Sequence, residues 1–382
     1  MKVAILTTDS REHFKEYEKP APYFGTAPEA LLQGLANLAG VEVHVISCMR
    51  QPVATPVQLE ANIRYHALLV PKRGWMSTLY QGCIRAVRRK LREIQPDLVH
   101  GQGTERECAI SAVFSGLPNV LTIHGNMGLI AQVTRARPFS YPWLAGKLER
   151  VTLPRTDGIV CITQYTRAAV AAQARRTWVV PNGVDQRFFG ISSGRGGSAV
   201  PLLLVVGKVC VRKNQNAFIR ALDPLAARTR FRLVFAGDAT AAVPYEAEFL
   251  EMVRARPWCQ HVGFTDRETL KNYLRDAALL ALPSLEDNCP MVVLEAMAAG
   301  VPVLAANVGG LPDLIEDGRN GLFCNPLEAA SMAAGVARLL ESPALGQQLA
   351  AEAKQRATAR FHPRIIAERH VEIYREVLRM RS

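Results

Sequence analysis

The sequence predicts an α/β protein built of two doubly wound domains in succession. Three observations predict it. Short apolar, β-branched runs alternate with longer helical patterns along most of the chain. The alternation breaks once, at Pro181-Asn182-Gly183-Val184-Asp185, a turn sequence followed by the small, polar, glycine-rich residues 191–198, which read as a linker. It then restarts, and 382 residues suit two domains of roughly 100–200 residues each.

Each element follows in order. In the first half the runs 3–7, 43–46, 98–100, 120–123 and 159–162 are continuously apolar, as parallel strands covered on both faces must be. Helical patterns occupy 28–39 and 79–94. After the turn, strands are expected at 202–206, 231–236, 259–262, 279–282 and 301–305. Helices are expected between them at 214–222, 246–254, 267–276 and 291–299, with a short element at 312–317. Residues 361–382 read as one long helix, with Ile366, His370, Ile373 and Val377 on one face. The expected division is therefore 1–185, 186–360 and a C-terminal helix at 361–382. Open α/β sheets bind ligands beyond the carboxyl ends of their strands, so the chemistry is sought in the loops that follow strands.

Composition narrows the class. With 49% hydrophobic and 21% charged residues the chain is neither disordered nor fibrous. Its first apolar run ends at Thr7, too short for a secretion signal, and no run reaches the ~18 residues of a membrane span. The eight cysteines are scattered without a C-x-x-C pair, which fits a reducing cytoplasm better than a disulfide frame or a zinc site. Net charge is +12, with 22 basic against 14 acidic residues over 1–185 and 24 against 20 over 186–382. The densest basic stretch is Arg85, Arg88, Arg89, Lys90 and Arg92. It reads either as a solvated helix face or as contact with an anionic partner, a phosphorylated acceptor or the inner face of a membrane. Nucleic acid is not expected, because no aromatic platform or recognition motif accompanies the charge.

The most informative segment runs from Pro283 to Gly300. A strand ends near Leu282 and a helix begins near Pro290, where the missing N–H of proline is no loss. The stretch Asn288-Cys289-Pro290-Met291-Val292 then presents backbone N–H groups at a helix N-terminus, a ready anion site. Glu286 and Asp287 precede it. Glu295 lies five residues into the helix, about 7.5 Å along its axis at ~1.5 Å per residue. An acid that far from the helix mouth can accept hydrogen bonds from a diol beside a bound phosphate.

This segment resembles the Glu-x7-Glu motif of retaining GT-B-fold glycosyltransferases, in particular glycosyltransferase family 4. By that resemblance Glu295 holds the nucleotide ribose, and Asp287, with Glu286 beside it, stands where the family has the Glu that contacts the donor sugar. Other segments fall in register. Gly207-Lys208-Val209-Cys210-Val211-Arg212-Lys213-Asn214 resembles the family's Gly-Arg-Leu-x-x-x-Lys-Gly segment, so Lys208 and Lys213 would neutralise the donor diphosphate. Lys208 keeps the charge of the usual arginine but not its fork, and Arg212 could compensate. Gly309-Gly310-Leu311-Pro312-Asp313 and Asp317-Gly318-Arg319-Asn320-Gly321 resemble two further family pieces, either structural or placed for close approach to a ligand.

In the first half, His124 ends a strand where the family has a His that contacts the transferred sugar. Gly25 lies in a loop that resembles the glycine-rich loop reaching the donor phosphate. His100, Gln102 and Glu105 match the family's strand end loosely and would touch the acceptor. Base recognition falls at Gly263 and Phe264, and the C-terminal helix would cross back to the first domain. Taken as catalytic are His124, Asp287 and Glu295.

The resemblance implies two Rossmann-like domains facing a cleft and transfer from a nucleotide-diphosphate sugar to a glycan, glycolipid or other hydroxyl acceptor. No Asp-x-Asp metal anchor occurs, so no metal or cofactor is expected beyond the nucleotide sugar itself. A nucleotide-sugar 2-epimerase of the same fold, or a non-catalytic nucleotide-sugar-binding subunit, is the alternative. A dehydrogenase is disfavoured, since no G-x-G-x-x-G follows the first strand.

Overall fold

Why the first strand is buried on both faces is visible residue by residue. In the computed structural model, which describes residues 1–36, 38–56, 58–133, 135–191 and 200–381, strand β1 (Lys2–Leu6) sends Val3 and Ile5 into one core and Ala4 and Leu6 into another. The two-residue side-chain period of a strand does this automatically once helices cover both sides. Residues 192–199 lie outside the described residues, and with them nearly all of the glycine-rich stretch read as a linker.

The chain divides into two units, Met1–Gly183 with His362–Ser382, and Val184–Phe361. Among the described residues the first holds an eight-stranded sheet. Its strands are β1, β2 (Glu42–Met49), β3 (Gln58–Glu60), β4 (Ile63–Leu69), β5 (Leu98–Gln102), β6 (Asn119–Ile123), β7 (Gly158–Cys161) and β8 (Thr177–Val179). Their order is β3-β4-β2-β1-β5-β6-β7-β8, parallel except for the β3–β4 pair. β3, β4 and β8 were not expected from the sequence. β4 (Ile-Arg-Tyr-His-Ala-Leu-Leu) alternates apolar and polar residues near the sheet edge, so it lacks the apolar run that marks a central strand.

The helix Gln81–Ile94 turns Cys83, Ile84, Val87, Leu91 and Ile94 into the core and leaves Arg85, Arg88, Arg89 and Arg92 exposed. Exposure of these arginines is common to both readings of the basic stretch. No helix among the described residues is long and apolar enough to cross a membrane.

The second unit carries β9 (Leu202–Val206), β10 (Arg232–Ala236), β11 (Cys259–His261), β12 (Ala277–Leu282), β13 (Val303–Ala306) and β14 (Leu322–Cys324). The order is β11-β10-β9-β12-β13-β14, all parallel.

Two helices stand at the C-terminal end, Pro343–Arg360 in the second unit and Pro363–Arg381 in the first. Phe361 is buried on the second-unit side, where its carbonyl accepts from Val184 N–H at 2.9 Å. From Pro363 on, the chain packs against the helix Thr26–Ala36 of the first unit, placing Ile366, Val371, Ile373, Tyr374 and Val377 in its core. The approach is close enough that a Cβ on Gly34 would sit 2.1 Å from the Pro363 carbonyl oxygen.

Candidate active site

In the second unit the chain lays β9, β10 and β11 outward on one side, then returns to lay β12, β13 and β14 on the other. The order therefore reverses between β9 and β12, and the loops leaving those two strands flank the switch point where open α/β sheets bind ligands. These loops hold the residues singled out by sequence.

They are stitched together by charge. Lys213 Nζ donates to Asp287 Oδ2 at 2.5 Å, and the buried Ser284 hydroxyl donates to the same oxygen at 3.2 Å. Arg212 donates to the Glu286 carbonyl at 2.9 Å, and its guanidinium lies 3.4 Å from the Glu286 carboxylate and 3.6 Å from that of Asp287. The backbone completes the seam, Leu285 N–H donating to the Arg212 carbonyl at 2.8 Å. Arg212, considered as a substitute for the missing arginine fork at 208, is thus engaged by the β12 loop. Lys208 is exposed, and its carbonyl accepts from Gln215 at 3.1 Å.

The paired glycines act on the same loop. Gly310 N–H donates to the Asp287 carbonyl at 3.0 Å. Gly309 has φ +55°, and a Cβ there would lie 1.9 Å from that carbonyl oxygen. In this structure the close approach they allow is to the Asp287 backbone.

The helix Met291–Ala298 follows, with Pro290, whose ring can accept no hydrogen bond, at its N-cap. Cys289 and Val292 are buried, and Asn288 and Met291 are partly exposed. Glu295, in the middle of the helix, is 4% exposed. Its neighbours are different. Arg267 lies 3.8 Å from its carboxylate and 3.5 Å from that of Asp185. Burial outweighs the attraction of Arg267, and Asp185 adds to the effect, so the Glu295 carboxyl is pushed up to about 7. The loop after β11 holds Gly263, whose carbonyl accepts from Gly237 N–H at 2.7 Å, and Phe264, which is exposed.

In the first unit the strand order reverses between β1 and β5. The long loop after β1 ends at the exposed Gly25, which opens the helix Thr26–Ala36. His124 follows β6, and its Nε2 lies 2.8 Å from Gln102 Oε1. Burial lowers the His124 pKa to about 4 against an opposing hydrogen bond that the ring donates to the Asn182 side chain, so the ring is neutral at pH 7. Gln102 is buried between His124 and His100. Glu105 is partly buried and lies outside this network, with its carboxyl raised by desolvation.

His100 departs from expectation. It is fully buried, with Nδ1 2.6 Å from the Tyr374 hydroxyl and Nε2 2.7 Å from Thr122 Oγ1. A ring with both nitrogens engaged inside the core does not reach an acceptor. The reason is the C-terminal helix, which lays Tyr374 over the strand end. Arg267, Asp185, Ser284 and Tyr374 were not singled out by sequence. Asp185 alone carried a signal, as part of the turn.

Comparison with known proteins places this geometry. The profile described as glycosyl transferases group 1 matches residues 200–342, and that of glycosyltransferase family 4 matches residues 27–188. The D-inositol 3-phosphate glycosyltransferase of Nocardiopsis dassonvillei is 32% identical over 304 residues, 73% of this chain and 70% of that protein. The glycogen synthase of Mycobacterium tuberculosis is 29% identical over 324 residues, 79% and 75% of the two chains. Among solved structures, sucrose-phosphate synthase from Thermosynechococcus elongatus has a TM-score of 0.80 at 20% identity over all of both chains. Anabaena HepE in complex with UDP and glucose has a TM-score of 0.71 at 19% identity, covering 98% of this chain and 100% of that one. The fold is GT-B. The chain belongs to the family 4, group 1 glycosyltransferases and is a glycosyltransferase.

Proposed function

We propose that the protein is a retaining, metal-independent glycosyltransferase that moves a sugar from a nucleotide-diphosphate sugar to a hydroxyl of a glycan, glycolipid or other acceptor. The observation that carries this reading is the Lys213–Asp287 pair next to the N-terminus of the helix Met291–Ala298 at the β9–β12 switch point. Lys208, Lys213 and the N–H groups of Asn288, Cys289, Met291 and Val292 take the diphosphate, and the family resemblance assigns Gly25 to it as well. Fixed donors aimed at a leaving diphosphate stabilise the charge that develops as the glycosidic bond breaks.

Glu295 accepts the ribose hydroxyls, Gly263 and Phe264 border the base, and Asp287 or Glu286 with His124 holds the donor sugar. The second unit is then the donor domain and the first the acceptor domain, with Gln102 and Glu105 left as acceptor contacts. The departing phosphate accepts the proton of the attacking hydroxyl, on the face from which it leaves. UDP and UDP-glucose bound to HepE support a nucleotide-sugar donor.

A thermal-shift panel of UDP-, GDP-, ADP- and TDP-sugars, with and without magnesium, tests this. A ligand that binds only the folded state raises the melting temperature by mass action. Stabilisation by one nucleotide class, indifferent to magnesium, is expected. No shift from any donor, or a shift that needs magnesium, would overturn the reading.

A further inference from the structure

Two helices of the first unit follow β6, Met127–Val133 and Tyr141–Thr152, and the turn between them presents large apolar side chains to solvent. Phe139, in the turn, is 79% exposed. It holds φ +64°, a left-handed conformation that costs a bulky residue free energy. Tyr141 and Ile130, on the flanking helices, are exposed as well. The Phe139 ring meets that of the half-buried Trp143, with centroids 5.4 Å apart.

Charge on the same segment has one sign. Residues 126–155 hold five basic residues, Arg135, Arg137, Lys147, Arg150 and Arg155, and a single acid, Glu149. All five cations are exposed. Glu149 is buried and turned inward, accepting from Met127 N–H at 3.0 Å, Gly128 N–H at 2.9 Å and the Thr104 hydroxyl at 2.6 Å. Among the described residues of the segment, then, no acid reaches the surface.

A second loop repeats the pattern. Lys72, Arg73 and Leu79 are exposed after β4, and no acid occurs from residue 61 to residue 92. The end of β5 joins the two loops. The Tyr141 hydroxyl donates to the Glu105 carbonyl at 2.8 Å, and the guanidinium of Arg106, the next residue, lies 5.5 Å from the centre of the Trp75 ring in the second loop. The basic face of the helix Gln81–Ile94 is different. Its arginines stand among no exposed apolar side chain, and Lys90 pairs with Glu93.

A neutral glycan would use the rings and ignore the cations. A soluble polyanion would use the cations and leave Phe139 in water. A bilayer of anionic lipid uses both, because its phosphates attract surface Lys and Arg while its headgroup boundary takes up aromatic rings. We propose that this corner of the first unit docks on an anionic phospholipid bilayer, with Phe139 entering the headgroup boundary and Arg135, Arg137 and Lys147 against the phosphates. The docking does not depend on the donor assignment. On the reading of Glu105 as an acceptor contact, it brings that strand end to the surface where a lipid-linked hydroxyl is met.

Sedimentation of the full chain with vesicles tests this. The probes are vesicles of phosphatidylcholine alone, and of phosphatidylcholine with one third phosphatidylglycerol. At ~0.1 M salt the wild type sediments with the mixed vesicles and not with the neutral ones, and ~1 M salt releases it. Arg135→Ser/Arg137→Ser lowers the partition coefficient about thirtyfold, roughly fivefold per charge. Phe139→Ser lowers it about tenfold. Phe139→Trp still binds, and its emission is quenched by brominated lipid. The control Arg85→Ser/Arg89→Ser stays within about threefold of wild type, its charges lying more than a Debye length from the docked corner. All of these residues are exposed, so the variants fold, and equal melting temperatures verify it.

No sedimentation with the mixed vesicles, or equal sedimentation with both kinds, overturns the proposal. So does wild-type partition in Phe139→Ser, or a larger loss from the control than from the corner variants. Should the chain ignore vesicles and elute as a dimer that Phe139→Ser makes a monomer, the corner is a contact between copies and the proposal falls.

Discussion

Glu295→Gln makes the protein more stable at alkaline pH and worse at holding its donor, and the two effects come from one group. The carboxyl is 4% exposed and its pKa is raised from 4.5 to about 7, chiefly by burial. A carboxyl raised in the folded state holds its proton more tightly there than in the unfolded chain. Below pH 4.5 both states are protonated and ionisation costs nothing. As pH rises toward 7 the unfolded chain releases a proton that the folded one keeps, and stability falls; above 7 the full cost is present. About 2.5 units at ~1.36 kcal/mol each is about 3 kcal/mol. Glutamine never ionises, so it escapes that cost. Over a unit of this size the gain is roughly 6–12 °C in melting temperature.

The same substitution removes the charge that would accept the ribose hydroxyls. A hydrogen bond to a charged group is worth ~1.5–3 kcal/mol, so nucleoside diphosphate affinity falls roughly 10–100-fold. The assay is a melt of wild type and variant at pH 5 and pH 8.5, followed by calorimetric titration with the nucleotide that the panel selects. The variant should melt with wild type at pH 5 and well above it at pH 8.5. A melting difference that does not change with pH would refute the burial argument, and unchanged affinity would refute the ribose assignment.

Two further perturbations probe the loop seam. Gly309→Ala forces a Cβ against the Asp287 carbonyl at positive φ. It costs about 1–3 kcal/mol of stability and lowers donor affinity with it, because the Asp287 backbone must move. Normal urea midpoint and normal titration would make the glycine pair idle. Lys213→Met leaves the buried Asp287 carboxylate without its nearest cation and costs about 3 kcal/mol. Adding Asp287→Asn restores much of that stability and none of the donor affinity. If the single and double variants unfold at the same urea concentration, the pair does not hold the loops.

What the sequence disclosed and what it hid divide along a physical line. The second-unit segment was legible because one strand, one loop and one helix carry it. Pro290 fixes the helix start, and the spacing from Asp287 to Glu295 follows from helix geometry alone. The family resemblance of residues 207–214 implied a diphosphate role for Lys213, but its ion pair with Asp287 could not be read from it. The two lie 74 residues apart and meet because β9 and β12 are sheet neighbours. Arg267 illustrates the harder case. In sequence it is one more charge near a helix start after Asp266. Only tertiary packing brings it within 4 Å of both Asp185 and Glu295.

His100 shows why a correct pattern can still mislead. A histidine at the carboxyl end of a central strand sits where ligands bind, and that much the alternation of strands and helices does encode. Whether its ring faces solvent depends on what covers the strand end. Here the cover arrives from the far end of the chain, on a helix whose apolar face was plain but whose docking site was not. The amphipathic spacing of Ile366, His370, Ile373 and Val377 says that something must be buried, not against what. Tyr374, one residue beyond Ile373, reads in that pattern as ordinary core. Its hydroxyl matters only because His100 lies within 2.6 Å of it. A buried hydroxyl needs a partner, and a buried histidine needs its ring nitrogens engaged. Once both demands fall on the same hydrogen bond, a residue with no sequence signature fixes the ring of one that has it.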